Sequence, residues 1–324
     1  MSTPRNITHF PHHDLKMPYY DIGPRHQSPR LAVVAGLGGN GLNGMFVLSR
    51  LAAFLAGIES GEPADWRLRA RVVIVPAVNP PYLEYSNCRD CRPLISNGLV
   101  ANSIGNCNHD AAAQHQISAV GDITRDAYYR IDIHSSNLDI EEMPQVRLYD
   151  PNDDERATAC LFGLPAVIER PTENKHIRYL VAEWRIHGGE NFVVQAGHGG
   201  NLQPAHCESV FRALLAFLDR TGIVEGLNIA SEDDDLHYFG EAQTYSITGN
   251  QSGIFVPQAT VGQRVFVGTS IGRIFDALTG DLRAEIESPV AGVLSSLRRQ
   301  PLLVEGALIA RIQTDKSARL TLPR

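Results

Sequence analysis

No surplus of positive charge runs through this sequence: 29 Lys and Arg stand against 36 Asp and Glu, a net charge of −7. Nucleic-acid binders concentrate a basic stripe, so the charge balance gives no electrostatic case for that partner. Arg67, Arg69 and Arg71 alternate, and Arg298 and Arg299 form a single pair; both read as solvated faces. The first 22 residues hold no apolar core of the kind a secretory signal needs. The most apolar helical stretch, 45–58, is interrupted by Ser49 and Arg50 and reads as too short and too polar to span a bilayer. Cysteine is scarce and odd in number, five in all, which argues against a disulfide framework and for reduced thiols in a cytoplasm. Neither a solenoid repeat nor a low-complexity tract is present.

What the sequence has is a succession of short apolar runs. Residues 31–36, 71–78, 129–134 and 192–197 read as buried strands, the second closed by Asn79-Pro80-Pro81 and the third ending in Asp and His. Met45, Leu48, Leu51, Ala52 and Leu55 fall at helical spacing, with Asn43 as N-cap. A second helix is expected over 206–220, stopped by Gly222. Strands alternating with helices predict an α/β unit over 1–225, its mostly parallel sheet covered by helices on both faces. In such sheets ligands sit beyond the carboxyl ends of the strands. After the acidic link at Asp233, Asp234 and Asp235 the texture changes to short segments punctuated by glycine, which predicts a small all-β domain over 226–324.

The glycine-rich segment 35–44 supports two chemistries. Gly36, Gly38 and Gly41 match G-x-G-x-x-G between a strand and a helix, the pattern that lets a pyrophosphate approach a helix N-terminus. The acidic residue that would hold a ribose is missing, because the second strand ends in Val78-Asn79-Pro80. Farther on, Cys88-x2-Cys91 followed by Cys107, His109 and His115 has thiolate and imidazole groups of the kind zinc accepts, although the second half departs from the usual spacing. Ordinary reduced thiols are the plainer reading of that segment. His9, His12 and His13 read as a solvated arm.

Strand, glycine turn, Asn43-Gly44, helix, a strand ending in Asn-Pro and a strand ending in Asp132-Ile133-His134: this order resembles the succinylglutamate desuccinylase/aspartoacylase family of zinc carboxypeptidase-like hydrolases. The family's first motif, G-x-H-G-x-E-x-N-G, lies over Gly36–Gly44. The zinc histidine then falls on Gly38 and the zinc glutamate on Gly41, so two of three ligands are replaced. His134 stands at the third ligand position, with Asp132 orienting it. The family's T-V-E-x-G strand corresponds to Val193-Val194-Gln195-Ala196-Gly197, followed by His198. Gln195 therefore occupies the general-base position and has no proton to exchange near neutral pH. Loss of proton transfer costs roughly 10²–10⁴-fold in rate. The resemblance also assigns substrate-carboxylate contacts to Asn108, His109 and Arg89, with His198 beside them. Arg147 is a further anion-contact candidate, although an Arg after a strand is more often a surface salt-bridge partner.

Ser252-Gly253-Ile254 and the segment 287–293 resemble the hairpins of the lipoyl-like β-domain of bacterial members. A carrier arm needs a lysine at a hairpin tip, and none occurs between Gly226 and Gln313. A structural module flanking the site is expected instead.

Three functions stay open on the sequence. One is a degenerate hydrolase that binds an N-acyl amino acid, a peptide end or a protein partner, without metal. Another is an active amide hydrolase with zinc rebuilt around His134 and drawing on His109, Cys107 or His198. The third is a nucleotide binder through the 36–41 loop. A carboxylate-bearing small molecule or peptide is the expected ligand in the first two.

Overall fold

The structure, a computed structural model, describes residues 5–7, 17–37, 41–78, 94–96, 99–101, 109–170, 178–229 and 236–314. Cys88, Cys91 and Cys107, and the arm bearing His9, His12 and His13, lie outside these residues. The chain opens with β1 (Arg5–Ile7), β2 (Met17–Ile22), β3 (Leu31–Ala35), α1 (Leu42–Glu59) and β4 (Val72–Val75). Then come α2 (His109–Thr124), β5 (Tyr129–Ser136) and β6 (Ile140–Tyr149). They are followed by α3 (Asp153–Ala159), β7 (Ala166–Arg170), α4 (Arg178–Arg185), β8 (Glu190–His198) and α5 (Pro204–Arg220).

The apolar runs at 31–36, 71–78, 129–134 and 192–197 become β3, β4, β5 and β8, parallel to one another in the order β4-β3-β5-β8. Val33, Ile131 and Val194 are completely buried because helices cover both faces. On one face α1 and α5 pack Leu48, Leu51, Leu55, Val210, Leu214 and Phe217 against Val33, Ile131 and Val194. Each such side chain contributes about 1.5–3 kcal/mol on leaving water. On the other face α2 and α4 bring Ile117, Val120, Leu180 and Trp184 against Val34 and Val193. Arg130 is also buried on that face and gives hydrogen bonds to the carbonyls of Thr124, Arg125, Trp184 and Gly188, which ties the two helices together. Burial pulls its pKa below the ordinary arginine value.

Two details differ from expectation. Asn43 does not cap α1, which starts from Gly41; it lies buried in the first turn, where its side chain is engaged across the fold. By length and composition α1 suffices to cross a membrane, yet half of it is buried inside the protein as a core helix. Gly44, one residue on, lets α1 approach the sheet: a Cβ there would stand 3.0 Å from the Ala35 Cβ and 3.1 Å from Ile133.

The parallel strands are only the middle of a 13-stranded mixed sheet. β1 and β2 add antiparallel strands on one side and β6 adds one beside β8. In the C-terminal part follow β9 (His237–Phe239), β10 (Thr244–Thr248), β11 (Gly253–Pro257), β12 (Arg264–Val265) and β13 (Ser270–Phe275). The chain continues through β14 (Leu282–Glu287), β15 (Gly292–Arg298), β16 (Leu302–Leu303) and β17 (Leu308–Gln313). β14, β13, β11 and β16 make a small antiparallel sheet. It packs with β15 and β17 around Phe255, Val265, Ile271, Leu294 and Ile309.

β6 is forked. Along its free edge, residues 140–142 pair antiparallel with β15, while 146–149 pair in parallel with β7, which in turn pairs with β9. Met143, Pro144 and Gln145 lie in the crotch. Pro144 has no N–H to offer a ladder, and the pairing with β8 slips there: Gln195 faces Gln145, but Gly197 faces Glu142. One residue of β8, Ala196, thus opposes two of β6, Met143 and Pro144, a bulge that reverses the alternation of side chains. Glu142 is thereby turned onto the same face as Gln145 and Arg147, and Glu141 onto the opposite one.

Candidate functional site

The D-x-H segment ends β5. Asp132 and His134 are two residues apart on a strand, so both side chains stand on the α2/α4 face. The His134 Nε2 meets Asp132 Oδ2 at 2.6 Å. Asp132 is wholly buried, and its Oδ1 has no hydrogen-bond partner among the described residues. Burial works against a charged His134 imidazole and Arg147 repels it, but Asp132 outweighs both and raises the His134 pKa above the ordinary histidine value. The pair is an imidazole held in one orientation with a ready proton.

Gln195 lies directly beside His134 in the β5–β8 register and is almost completely buried. Gln145 stands opposite Gln195 on the next strand. The floor of the site therefore reads His134, Gln195, Gln145 across three strands. After Gln195 the β8 backbone turns at Gly197, whose φ is +68°. A Cβ there would collide with the side chains of Gln203 and Asn43.

Those two side chains brace the end of β8 from behind. Asn43 accepts from the Gln203 backbone N–H at 2.8 Å and donates to the Gln203 Oε1 at 3.1 Å. The Gln203 Oε1 also accepts from the His198 backbone N–H at 2.9 Å, while its Nε2 donates to Glu141 at 2.9 Å. Glu141 is paired in turn with His206 at 2.6 Å and with Arg299. Burial opposes the Glu141 charge, but these two partners hold its pKa below the ordinary carboxylate value. The Arg298–Arg299 pair, read from sequence as a solvated face, is thus used internally: Arg299 binds Glu141, and the buried Arg298 donates to the carbonyls of Gln300, Leu302 and Leu308.

Arg147 likewise is no surface partner. It is buried and ion-paired with Glu142. Glu142 also accepts from Gln145 Nε2 and Ser296 Oγ at 3.4 Å, and from Arg311 of β17 at 3.5 Å. Sequence reasoning missed Glu142, Gln145, Arg170 and Arg311. The available signal was Ile140-Glu141-Glu142-Met143-Pro144-Gln145-Val146-Arg147, a strand that carries charged residues at positions buried on both faces.

Of the other sequence candidates, Gly41 precedes α1, and among the described residues a Cβ there would meet nothing closer than the Gly36 Cα at 3.9 Å. The His198 Nδ1 lies 3.0 Å from the Gly199 carbonyl oxygen. Gly38, Arg89, Cys107 and Asn108 lie outside the described residues; His109 begins α2 and its side chain lies outside them as well.

No protein-family model matches the chain, and no curated protein matches its sequence. Solved structures do match. The product-bound ectoine utilization protein EutE (DoeB) from Ruegeria pomeroyi aligns at TM-score 0.68 and 18% identity, covering 95% of this chain and 93% of that one. A succinylglutamate desuccinylase/aspartoacylase from Rhodobacter sphaeroides aligns at TM-score 0.69 and 17% identity over 97% and 94%. This chain has the desuccinylase/aspartoacylase fold. A putative succinylglutamate desuccinylase/aspartoacylase family protein from Shewanella amazonensis aligns at TM-score 0.68 and 13% identity over 97% of this chain and 98% of that one.

The desuccinylase/aspartoacylase fold implies zinc, and the donors among the described residues do not fit it. Gly41 offers no side-chain ligand, nor does a glycine at position 38. His134 Nε2 is engaged by Asp132. Among the described residues no group of three or more His, Cys, Asp or Glu side chains is placed to hold a metal.

Proposed function

We propose that this chain is a binding protein on a hydrolase scaffold: it holds a small carboxylate-bearing ligand, of the N-acyl amino acid or peptide-end type, without hydrolysing it. The observation that carries this reading is the register of Gln195 beside His134, with a glycine, which brings no ligand, at position 41. A hydrolase needs a carboxylate that takes a proton from water and returns it to the leaving amine. Gln195 donates and accepts hydrogen bonds but transfers no proton. Asp132 favours the charged form of His134, whose second ring N–H is a donor suited to an anion.

The product molecule in the Ruegeria pomeroyi structure supports a ligand-sized site in this fold. The C-terminal β unit, which resembles a lipoyl-like module in sequence but lacks its lysine, flanks the site through the β6–β15 pairing. The α/β unit over 1–225 carries His134 and Gln195, and the protein acts in the cytoplasm.

Metal analysis of the purified protein together with an amide-hydrolysis assay on a panel of N-acyl amino acids tests the proposal. Binding by calorimetry with no turnover and no stoichiometric zinc is expected. Stoichiometric zinc that disappears in His134→Ala, with turnover, would sink the reading in favour of a metal site rebuilt from His134 with His109, Cys107 or His198.

A further inference from the structure

We infer that Arg147, Arg170 and Arg311, gathered around Glu142 at the fork of β6, form an anion site for a small dicarboxylate. The inference deepens the proposed function and rests on other residues than Asn108, His109 and Arg89.

Three strands supply the site's charges. Arg147 and Glu142 come from β6, on one face because of the bulge. Arg170 comes from the end of β7, paired with Tyr149 and so on the Arg147 face. Arg311 comes from β17, beside Ser296 of β15, which itself pairs with Glu142. The two units of the chain thus contribute to one constellation. Arg170 crosses between them and donates to the Thr244 hydroxyl at 2.9 Å; Thr244 donates to Gln313 Oε1 at 3.0 Å, and Gln313 to Ser295 Oγ at 2.9 Å.

Charge is the first observation. Three guanidinium groups share one carboxylate among the described residues, which leaves two positive charges over. The strain is visible at Arg170: burial, then repulsion from Arg147 and Arg311, brings its pKa down to about 10 despite the attraction of Glu142. Burial lowers Arg311 in the same way, with Arg147 adding to it. Buried cations are retained where something pairs them.

Unsatisfied polar atoms are the second, independent observation. Arg147 Nε and Gln145 Oε1 are buried without a hydrogen-bond partner among the described residues. Such groups cost free energy unless a ligand or water completes them. Arg147 is only 9% exposed and stands on the Glu142 face with a donor to spare.

Guanidinium groups bind carboxylates in planar, two-point fashion. Arg170 and Arg311 approach from different strands on the two sides of the fork, so they suit two carboxylates of one molecule. A double negative charge matches the surplus.

Isothermal titration of the full-length protein with malonate, acetate and inorganic phosphate tests this, on wild type and on Arg311→Gln, Arg170→Gln and Glu142→Gln. Malonate should bind at least about tenfold more tightly than acetate. Arg311→Gln and Arg170→Gln should each weaken malonate at least about tenfold, and Glu142→Gln should tighten it. Absence of malonate binding, malonate affinity unchanged by both arginine variants, or phosphate binding more tightly than malonate each overturns the assignment. Circular dichroism confirms folding, and the partly exposed Arg311 keeps the test valid if Glu142→Gln does not fold. Failure of the proposed function reads out differently, as zinc and turnover, and leaves the malonate result intact.

Discussion

Glu142→Gln changes one atom pair and removes the carboxylate that three arginines share. The side chain of Glu142 is 2% exposed and that of Arg147 10%, whereas that of Arg311 is 33% exposed. The Arg311 contact, long and with its guanidinium side chain one-third in solvent, contributes no more than about 1 kcal/mol. The Arg147 contact is different, because its loss leaves a buried guanidinium unpaired. Breaking such a pair from one side costs about 3–5 kcal/mol. Against a total stability of about 5–15 kcal/mol, that is a large fraction. Equilibrium urea unfolding followed by circular dichroism should show Glu142→Gln less stable than wild type by about 3–5 kcal/mol. Arg311→Gln should fall by about 1 kcal/mol or less. Added malonate should recover part of the Glu142→Gln deficit, since a ligand of the folded state stabilises by mass action. If Glu142→Gln unfolds within 1 kcal/mol of wild type, the Glu142–Arg147 pair is not a dry one and the reasoning fails.

Four further outcomes are expected. Asn43→Ala removes both the acceptor of the Gln203 N–H and the donor to Gln203, and should cost about 1–3 kcal/mol in the same urea experiment. The triple variant Gly38→His/Gly41→Glu/Gln195→Glu should acquire about one zinc per chain by elemental analysis, because it completes the three-ligand set with His134; Gln195→Glu alone should remain free of zinc. The His134–Asp132 pair stabilises through a raised histidine pKa. Its contribution is therefore complete below the ordinary value of 6.5 and fades as pH rises through the folded-state value. The stability gap between wild type and His134→Asn should accordingly be larger at about pH 5.5 than at about pH 9; a gap that widens with pH would contradict the assignment. Arg130→Met leaves four carbonyls without their donor and should loosen α2 and α4, seen as faster amide exchange at Val120 and Val181 than at Leu214 on the other face.

The parts of the fold legible in sequence were those where burial on both faces makes a strand uniformly apolar. β3, β4, β5 and β8 announced themselves in this way, and α5 by its periodicity. Asp132, His134 and Gln195 were legible as motif positions, and the structure brings His134 and Gln195 side by side. β6 was not legible, because its buried positions hold Glu141, Glu142, Gln145 and Arg147. Their partners, Arg299, Ser296 and Arg311, come from some 150 residues downstream. No local pattern predicts which charges a distant strand will neutralise. Asn43 misled for a related reason: its residue type suits a cap, but a partner 160 residues away claims its side chain.

The fork of β6 also sets an order of events during synthesis. Residues 140–142 gain the strand that covers their second edge only when 296–298 emerge, 154 residues after Glu142. At ribosomal rates of about 5–20 residues per second, that leaves an open edge for roughly 8–30 s. An unpaired edge is an invitation to the wrong strand. Here it is guarded by adjacent glutamates on opposite faces and by a proline at its end, residues that repel or cannot pair with a neighbouring chain. The carboxylates that later gather arginines in the finished protein are, until then, charges that any strand adding to this edge would have to bury.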